Sequence, residues 1–85
     1  MPKIIVYSTT VCPYCVRAKM LLDKKGAEYE EINLTKNPDR HDEMLEKTGG
    51  KRTVPQIFIG DKHVGGCDDL YELEFEGELD SLLAG

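Results

Sequence analysis

The strongest constraint on the fold is a strand that gives way to a helix start near the beginning of the chain. Residues 4–7, Ile-Ile-Val-Tyr, form an uninterrupted apolar run, which is typical of a strand that is buried on both faces and central in its sheet. After a short loop, Cys-Pro-Tyr-Cys at residues 12–15 opens a stretch with apolar residues at helical spacing. Because proline suits the first helical position, Pro13 predicts Cys12 as the N-cap residue of that helix.

Two cysteines one helical turn apart are able to alternate between a dithiol and a disulfide, so this pair favours redox chemistry. The free N–H groups of Tyr14 and Cys15, together with the positive end of the helix dipole, should stabilise a thiolate at Cys12. We therefore expect the pKa of Cys12 to lie below that of a free thiol and Cys12 to be the nucleophile. Cys15, one turn inside the helix, is expected to be more buried and to act as the resolving thiol.

A zinc site and an extracellular structural disulfide are the alternatives for this pair. Zinc would need two more ligands, and Cys67, His41 and His63 offer no second paired spacing. A secreted disulfide protein is disfavoured because the sequence shows no apolar signal segment at its start and has three cysteines, an odd number. We therefore expect no bound metal and a reducing, cytoplasmic setting.

Length and charge restrict the remaining function classes. With 85 residues, 40% of them hydrophobic, the chain is expected to form one domain, residues 1–85, with a modest core. No apolar run approaches the length of a membrane span, and the net charge of −5 argues against nucleic acid as a partner. The excess acid lies in residues 68–85, which contain no Lys or Arg, so the surroundings of Cys12 need not be electronegative.

The pattern along the chain predicts an α/β fold with a four-stranded mixed sheet. Strands are predicted at residues 3–7, 28–34, 54–59 and 62–64, the second at an edge and parallel to the first, the last two joined by a Gly-Asp turn. Helices are predicted at residues 13–25, from about 37 to 48, at 68–75 and at 78–84. Met20 and Leu45 are expected in the core.

This order of elements, βαβ followed by αββα, resembles the thioredoxin fold, and three motifs narrow the resemblance to the dithiol glutaredoxins. The motifs are Cys-Pro-Tyr-Cys at residues 12–15, Thr-Val-Pro at 53–55 and Gly-Gly-Cys-Asp-Asp-Leu at 65–70. The resemblance implies a monomeric, glutathione-dependent thiol–disulfide oxidoreductase with a redox-active Cys12–Cys15 disulfide. Its implied substrates are glutathionylated thiols and protein disulfides such as those of ribonucleotide reductase, with glutathione as a co-substrate and no metal or organic cofactor.

The resemblance also implies where the cysteine moiety of glutathione would bind. A cis bond between Val54 and Pro55 would turn the Val54 backbone outward beside Cys12, where an extended peptide could pair with it as a strand does. Tyr14 is expected to flank the thiolate and to lie along the ligand. These residues would bring the glutathione sulfur next to Cys12.

The two ends of glutathione have separate implied sites. The γ-glutamyl group is expected to meet the backbones of Gly66 and Cys67 and the carboxylate of Asp68, which is also the predicted N-cap residue of the next helix. The thiol of Cys67 is expected to be buried and inert.

At the glycine end, many relatives have a lysine three residues before the nucleophile, where this chain has Thr9. Arg52, helped by Thr53, is the implied carboxylate ligand, and Lys51 gives the same loop a second charge.

Two other functions stay open at this point. One is a glutaredoxin-like electron donor that is reduced directly by thioredoxin reductase. Such a protein would need no glutathione site. The other is an iron–sulfur carrier that holds a cluster between two chains through Cys12 and two glutathiones. Pro13 disfavours the carrier, because relatives that bind clusters usually have a less constrained residue at this position.

Overall fold

A four-stranded mixed sheet forms the centre of the computed structural model, which describes residues 2–85. The strands are β1 (Ile4–Ser8), β2 (Glu30–Asn33), β3 (Gln56–Ile59) and β4 (Lys62–Gly65), and they lie in the order β2-β1-β3-β4. β1 is parallel to β2 and antiparallel to β3, and β3 is antiparallel to β4. The predicted parallel first pair, the edge position of β2 and the antiparallel last pair are confirmed.

Four α-helices cover the two faces of this sheet. They are α1 (Pro13–Lys24), α2 (His41–Thr48), α3 (Cys67–Phe75) and α4 (Leu79–Ala84), with a 3₁₀ turn (Pro38–Arg40) before α2. α1, α3 and α4 bury their leucines against one face, in a cluster that includes Ile4 and Val6 of β1. α2 places Met44 on the other face, beside Tyr7 and Phe58. β1 is therefore buried on both faces, as its apolar run predicts. Within residues 2–85, none of the helices has the length and apolar character that crossing a membrane requires.

Several predicted details of the elements are wrong. β3 begins at Gln56 and not at residue 54, because Pro55 has no N–H group to give to the sheet. Met20 is 62% exposed, since the buried face of α1 contains Ala18 and Leu22 and Met20 projects from the opposite side. Leu45 is only half-buried, because α2 turns Met44 toward the sheet.

The start of α3 also differs from the prediction. The helix begins at Cys67, and its N-cap is Gly66 in an extended conformation, so Asp68 is not the N-cap residue. The carboxylate of Asp69 accepts a hydrogen bond from the Gly66 N–H at 2.9 Å and thereby satisfies the start of the helix. The sequence pattern correctly predicted that an aspartate bonds to the backbone at this helix start, but that residue is Asp69 and not Asp68. The predicted helix also begins one residue too late.

A buried hydroxyl connects α2 and its preceding turn to the central strand. The Tyr7 hydroxyl donates a hydrogen bond to the Glu43 carboxylate, which also accepts bonds from the Arg40 guanidinium at 3.0–3.2 Å. Burial raises the pKa of Tyr7, and the Tyr7 hydrogen bond is the main cause that lowers the pKa of Glu43 below its ordinary 4.5. This contact fixes the helix that precedes the loop at residues 49–55.

We predict that Tyr7→Phe lowers the free energy of unfolding by about 1 kcal/mol at pH 7, because a partly exposed, charge-assisted hydrogen bond is lost. A carboxyl group with a lowered pKa in the folded state stabilises the fold above its unfolded pKa and loses that effect as the pH falls. The difference between Tyr7→Phe and the unchanged protein should therefore shrink below about pH 4. Urea unfolding of both proteins at pH 7 and pH 3 measures this difference in unfolding free energy. A difference that is the same at the two pH values would contradict the role of the Glu43 carboxylate.

Candidate active site

Cys12 and Cys15 form a disulfide at the start of α1, with their Cα atoms 5.2 Å apart. Cys12 is the N-cap residue and has an extended backbone, and its sulfur accepts a hydrogen bond from the Cys15 N–H at 3.1 Å. The N–H groups of Tyr14 and Cys15 were the predicted donors, and the one that makes this hydrogen bond is that of Cys15. Cys12 is partly exposed, whereas Cys15 is 1% exposed. The accessible sulfur is therefore the one that the helix N-terminus stabilises.

The loop before β3 brings backbone groups to the disulfide. Val54 and Pro55 are joined by a cis peptide bond, as expected, and the Val54 carbonyl oxygen lies 3.8 Å from the Cys12 sulfur. In the disulfide this sulfur has no hydrogen to donate, so the approach is a contact, and only the reduced thiol would be able to donate to that oxygen. The partly buried Val54 backbone is thus next to the reactive sulfur.

A cleft of about 410 Å³ runs from Tyr14 across this loop to the start of α3. Seven of the eight residues that the sequence implies as glutathione ligands line it: Tyr14, Thr53, Val54, Pro55, Gly66, Cys67 and Asp68. Arg52 is exposed and is not part of the lining. The wall is completed by Lys51, Gln56, Gly65 and Asp69. The fold therefore brings the three sequence motifs together in one concave surface.

Lys51 is the basic residue on the cleft wall. Its backbone N–H donates to the Thr48 hydroxyl at 3.0 Å, and that hydroxyl lies 3.2 Å from the Lys51 carbonyl oxygen. Thr48 is the last residue of α2 and is buried, so the helix end holds the backbone of the loop. The position of Lys51 in the cleft is a consequence of this anchor, which sequence reasoning did not identify.

The two adjacent aspartates at the start of α3 have different surroundings. Asp69 is engaged with the Gly66 N–H, as described above, and its carboxylate lies against Gly65. Gly65 has a φ of +112°, and a Cβ atom there would collide with this carboxylate, so the position requires glycine. Asp68 is exposed on the cleft wall and is the carboxylate placed to meet a cation.

Cys67 lines the cleft but is only 5% exposed. Burial is the main cause that raises the pKa of its thiol, and the charge of Arg17 opposes this to a smaller degree. A buried thiol with a raised pKa is a poor nucleophile, as expected from the sequence.

Among residues 2–85, no three or more His, Cys, Asp and Glu side chains come together in a way that could hold a metal ion.

Comparison with known proteins identifies what this arrangement is similar to. The sequence model of the glutaredoxin family matches residues 4–64. Glutaredoxin 1 of Rickettsia prowazekii is 58% identical over 83 residues, which cover 94% of this chain and 85% of that protein. The solution structure of a glutaredoxin from Brucella melitensis has a TM-score of 0.83 and 58% identity, covering 98% of this chain and 89% of that chain. A buckwheat glutaredoxin–glutathione complex has a TM-score of 0.84 and 42% identity, covering 95% and 76%.

We predict that iodoacetamide labels Cys12 well before Cys67 in the reduced Cys15→Ser variant at pH 7. Cys12 is accessible at a helix N-terminus, whereas Cys67 is buried with a raised pKa. Both the greater accessibility of Cys12 and the smaller thiolate fraction of Cys67 act in the same direction, so the rate ratio should be at least about tenfold. Peptide mapping after limited alkylation measures the ratio, and the same protein in urea, where both thiols should react alike, is the control. Equal labelling of the folded protein would contradict the assignment of the reactive thiol.

Proposed function

The chain belongs to the glutaredoxin family, and we propose that it is a thiol–disulfide oxidoreductase that uses glutathione as its co-substrate. The observation that supports this most directly is the cleft whose wall includes Tyr14, between the two cysteines, and Val54, whose carbonyl oxygen lies 3.8 Å from the Cys12 sulfur. The similar buckwheat protein is a complex with glutathione, which supports the same ligand for this chain.

The γ-glutamyl end has an ammonium group and a carboxylate, which suit the start of α3. We assign the ammonium group to Asp68, whose carboxylate is exposed on the wall. The Gly66 N–H already donates to Asp69. We therefore assign the carboxylate of the γ-glutamyl group to the backbone N–H groups of Cys67 and Asp68 in the first turn of α3. Gly66 contributes close backbone approach, because it has no side chain.

The middle and the glycine end of glutathione suit the loop before β3. The cysteine moiety would pair with the Val54 backbone, which lies beside the Cys12 sulfur, with Tyr14 along the ligand. Lys51 is proposed as the principal cation for the glycine carboxylate, and Thr53 as an additional donor. Arg52, outside the lining, would add its charge from the exposed side of the same loop.

The proposed chemistry needs no metal or organic cofactor. In the one-thiol cycle, the Cys12 thiolate attacks the glutathione sulfur of a mixed disulfide and the substrate leaves as a thiol. A second glutathione thiolate then attacks the glutathione sulfur on Cys12, which yields glutathione disulfide and returns the Cys12 thiolate. The Cys15 N–H stabilises Cys12 both as the nucleophile and as the leaving group.

In the two-thiol cycle, Cys12 attacks a protein disulfide and releases one of its sulfurs as a thiol. Cys15 then attacks the Cys12 sulfur, which frees the substrate and leaves the Cys12–Cys15 disulfide seen in the structure. Two glutathione molecules reduce that disulfide and become glutathione disulfide. A reducing compartment such as the cytoplasm would supply the glutathione. A monomer would be sufficient for activity, because all the residues proposed to bind glutathione belong to the same chain.

Turnover of a glutathionylated peptide, with glutathione and glutathione reductase as the reducing system, tests the proposal. We expect Cys12→Ser to abolish turnover, and Cys15→Ser to keep at least about a third of it, because the one-thiol cycle needs only the nucleophile. Cys15→Ser should lose the reduction of protein disulfides. Turnover that requires thioredoxin reductase and does not depend on glutathione would overturn the proposal. A Cys15→Ser variant as inactive as Cys12→Ser would overturn the one-thiol cycle.

The neighbouring cations provide a matched pair of variants. We predict that Lys51→Gln raises the KM for the glutathionylated peptide about fivefold, because it removes a solvent-screened, charge-assisted contact of about 1 kcal/mol. Arg52→Gln should change KM less than about twofold, since its side chain lies outside the cleft and its charge is screened. Both variants remove one charge from the same loop, so a larger effect of Arg52→Gln would reverse the assignment of the two cations.

A further inference from the structure

One residue of the cleft wall, Gln56, has a buried side-chain amide. The Gln56 side chain is 2% exposed and uses both of its polar atoms. Its Nε2 donates to the Thr53 carbonyl oxygen at 2.9 Å and contacts the Thr53 hydroxyl at 3.0 Å. Its Oε1 lies 2.8 Å from Nε2 of His63. Neither Gln56 nor His63 has a role in the exchange chemistry proposed above.

The chemistry of these groups fixes the direction of the hydrogen bonds. The Thr53 carbonyl oxygen is only an acceptor, so the amide nitrogen of Gln56 must face it, and the amide oxygen must face His63. His63 therefore donates from Nε2. Burial and then the charge of Lys51 lower the pKa of His63, which favours a neutral ring whose single proton is on Nε2. The bonds run in one direction, from His63 through Gln56 to Thr53.

The sheet holds the donor end of this chain of bonds in place. His63 is on β4 opposite Phe58 of β3, and the two rings stack with centroids 4.7 Å apart and planes at 19°. Phe58 in turn packs edge-on against Tyr7 of the central strand, at 5.9 Å. The acceptor end, Thr53, is exposed on the cleft wall, and the described strands do not include it.

We propose that His63 is a positioning residue for glutathione binding, which acts through Gln56 to hold Thr53 and the adjoining Val54 backbone in place. This inference rests on the proposed function. Without the His63 donor, the buried Gln56 oxygen would lose its partner, and the amide would reorient at the expense of its bonds to Thr53. The loop would then present Val54 and Lys51 to the substrate in less favourable positions. The Cys12 thiolate would keep its N–H donor, because that donor belongs to α1 and not to this loop.

Two substitutions at residue 63 separate the hydrogen bond from the packing. His63→Phe keeps a ring to stack on Phe58 and removes the donor, whereas His63→Gln places an amide N–H near the position of Nε2 and removes the ring. We expect His63→Phe to raise the KM for the glutathionylated peptide about three- to tenfold with kcat within about twofold, and His63→Gln to restore most of the loss. Lys62→Gln, on the neighbouring exposed residue of β4, is the control and should leave both constants unchanged.

Two further readouts distinguish positioning from a general loss of structure. The amide NMR signals of Thr53 and Val54 should shift in His63→Phe and return toward their original positions in His63→Gln. The rate at which iodoacetamide modifies Cys12 should differ by less than about twofold among the variants, because the N–H donor to its sulfur stays in place. If His63→Phe fails to fold, Gln56→Met removes the amide that bonds to both His63 and Thr53 and should raise KM by a similar factor.

The outcomes are separable from those for the proposed function. A KM that His63→Phe leaves unchanged, or an equal loss in His63→Phe and His63→Gln, would overturn the positioning role while the unchanged protein still turns over the glutathionylated peptide. Absence of that turnover in the unchanged protein would overturn the proposed function and this inference with it.

Discussion

The antiparallel pairing of β1 with β3 is the constraint on which the site depends. Tyr7, near the end of β1, is paired with Gln56, the first residue of β3. Whatever follows β1 must therefore lie beside whatever precedes β3. The first is the loop that ends in Cys12, and the second is the Thr-Val-Pro segment at residues 53–55. This register brings the Val54 carbonyl oxygen to 3.8 Å from the Cys12 sulfur, although the two residues are far apart in sequence.

The pairing is secure because β1 is buried on both faces. Its side chains alternate between the cluster beneath α1, α3 and α4 and the cluster beneath α2. A shift of register by one residue would exchange these faces and place Ile5 and Tyr7 in the space that is packed around Ile4 and Val6, so only one register fits both layers. The reactive sulfur, at the N-cap of α1, thus takes its position from strands and helices that pack in the core.

The charge distribution follows from the same arrangement. Seven of the 16 acidic residues lie in α3 and after it, in a segment without Lys or Arg. Lys25 at the end of α1 pairs with Glu74 at 2.8 Å and with Asp80 at 2.9 Å. α1 is 12 residues long, so these pairs lie about 18 Å from its N-terminus and from Cys12. The first acidic residues of the segment, Asp68 and Asp69, are the ones beside the cleft, and one of them is engaged in capping α3.

Local sequence patterns determined the features that depend on a few neighbouring residues. Pro13 identified the start of α1 and the N-cap position of Cys12, and the apolar run at residues 4–7 identified the central strand. The fold class and the cis bond before Pro55 followed from the resemblance of three motifs. Only the tertiary structure decided that Lys51 lines the cleft while Arg52 does not. It also decided that the carboxylate of Asp69, and not that of Asp68, bonds to the N-cap backbone of α3, and that Gln56 connects His63 to Thr53. Adjacent residues of the same type look alike in sequence, and what separates them is which elements pack against each one, because burial and hydrogen-bond partners come from parts of the chain that are distant in sequence.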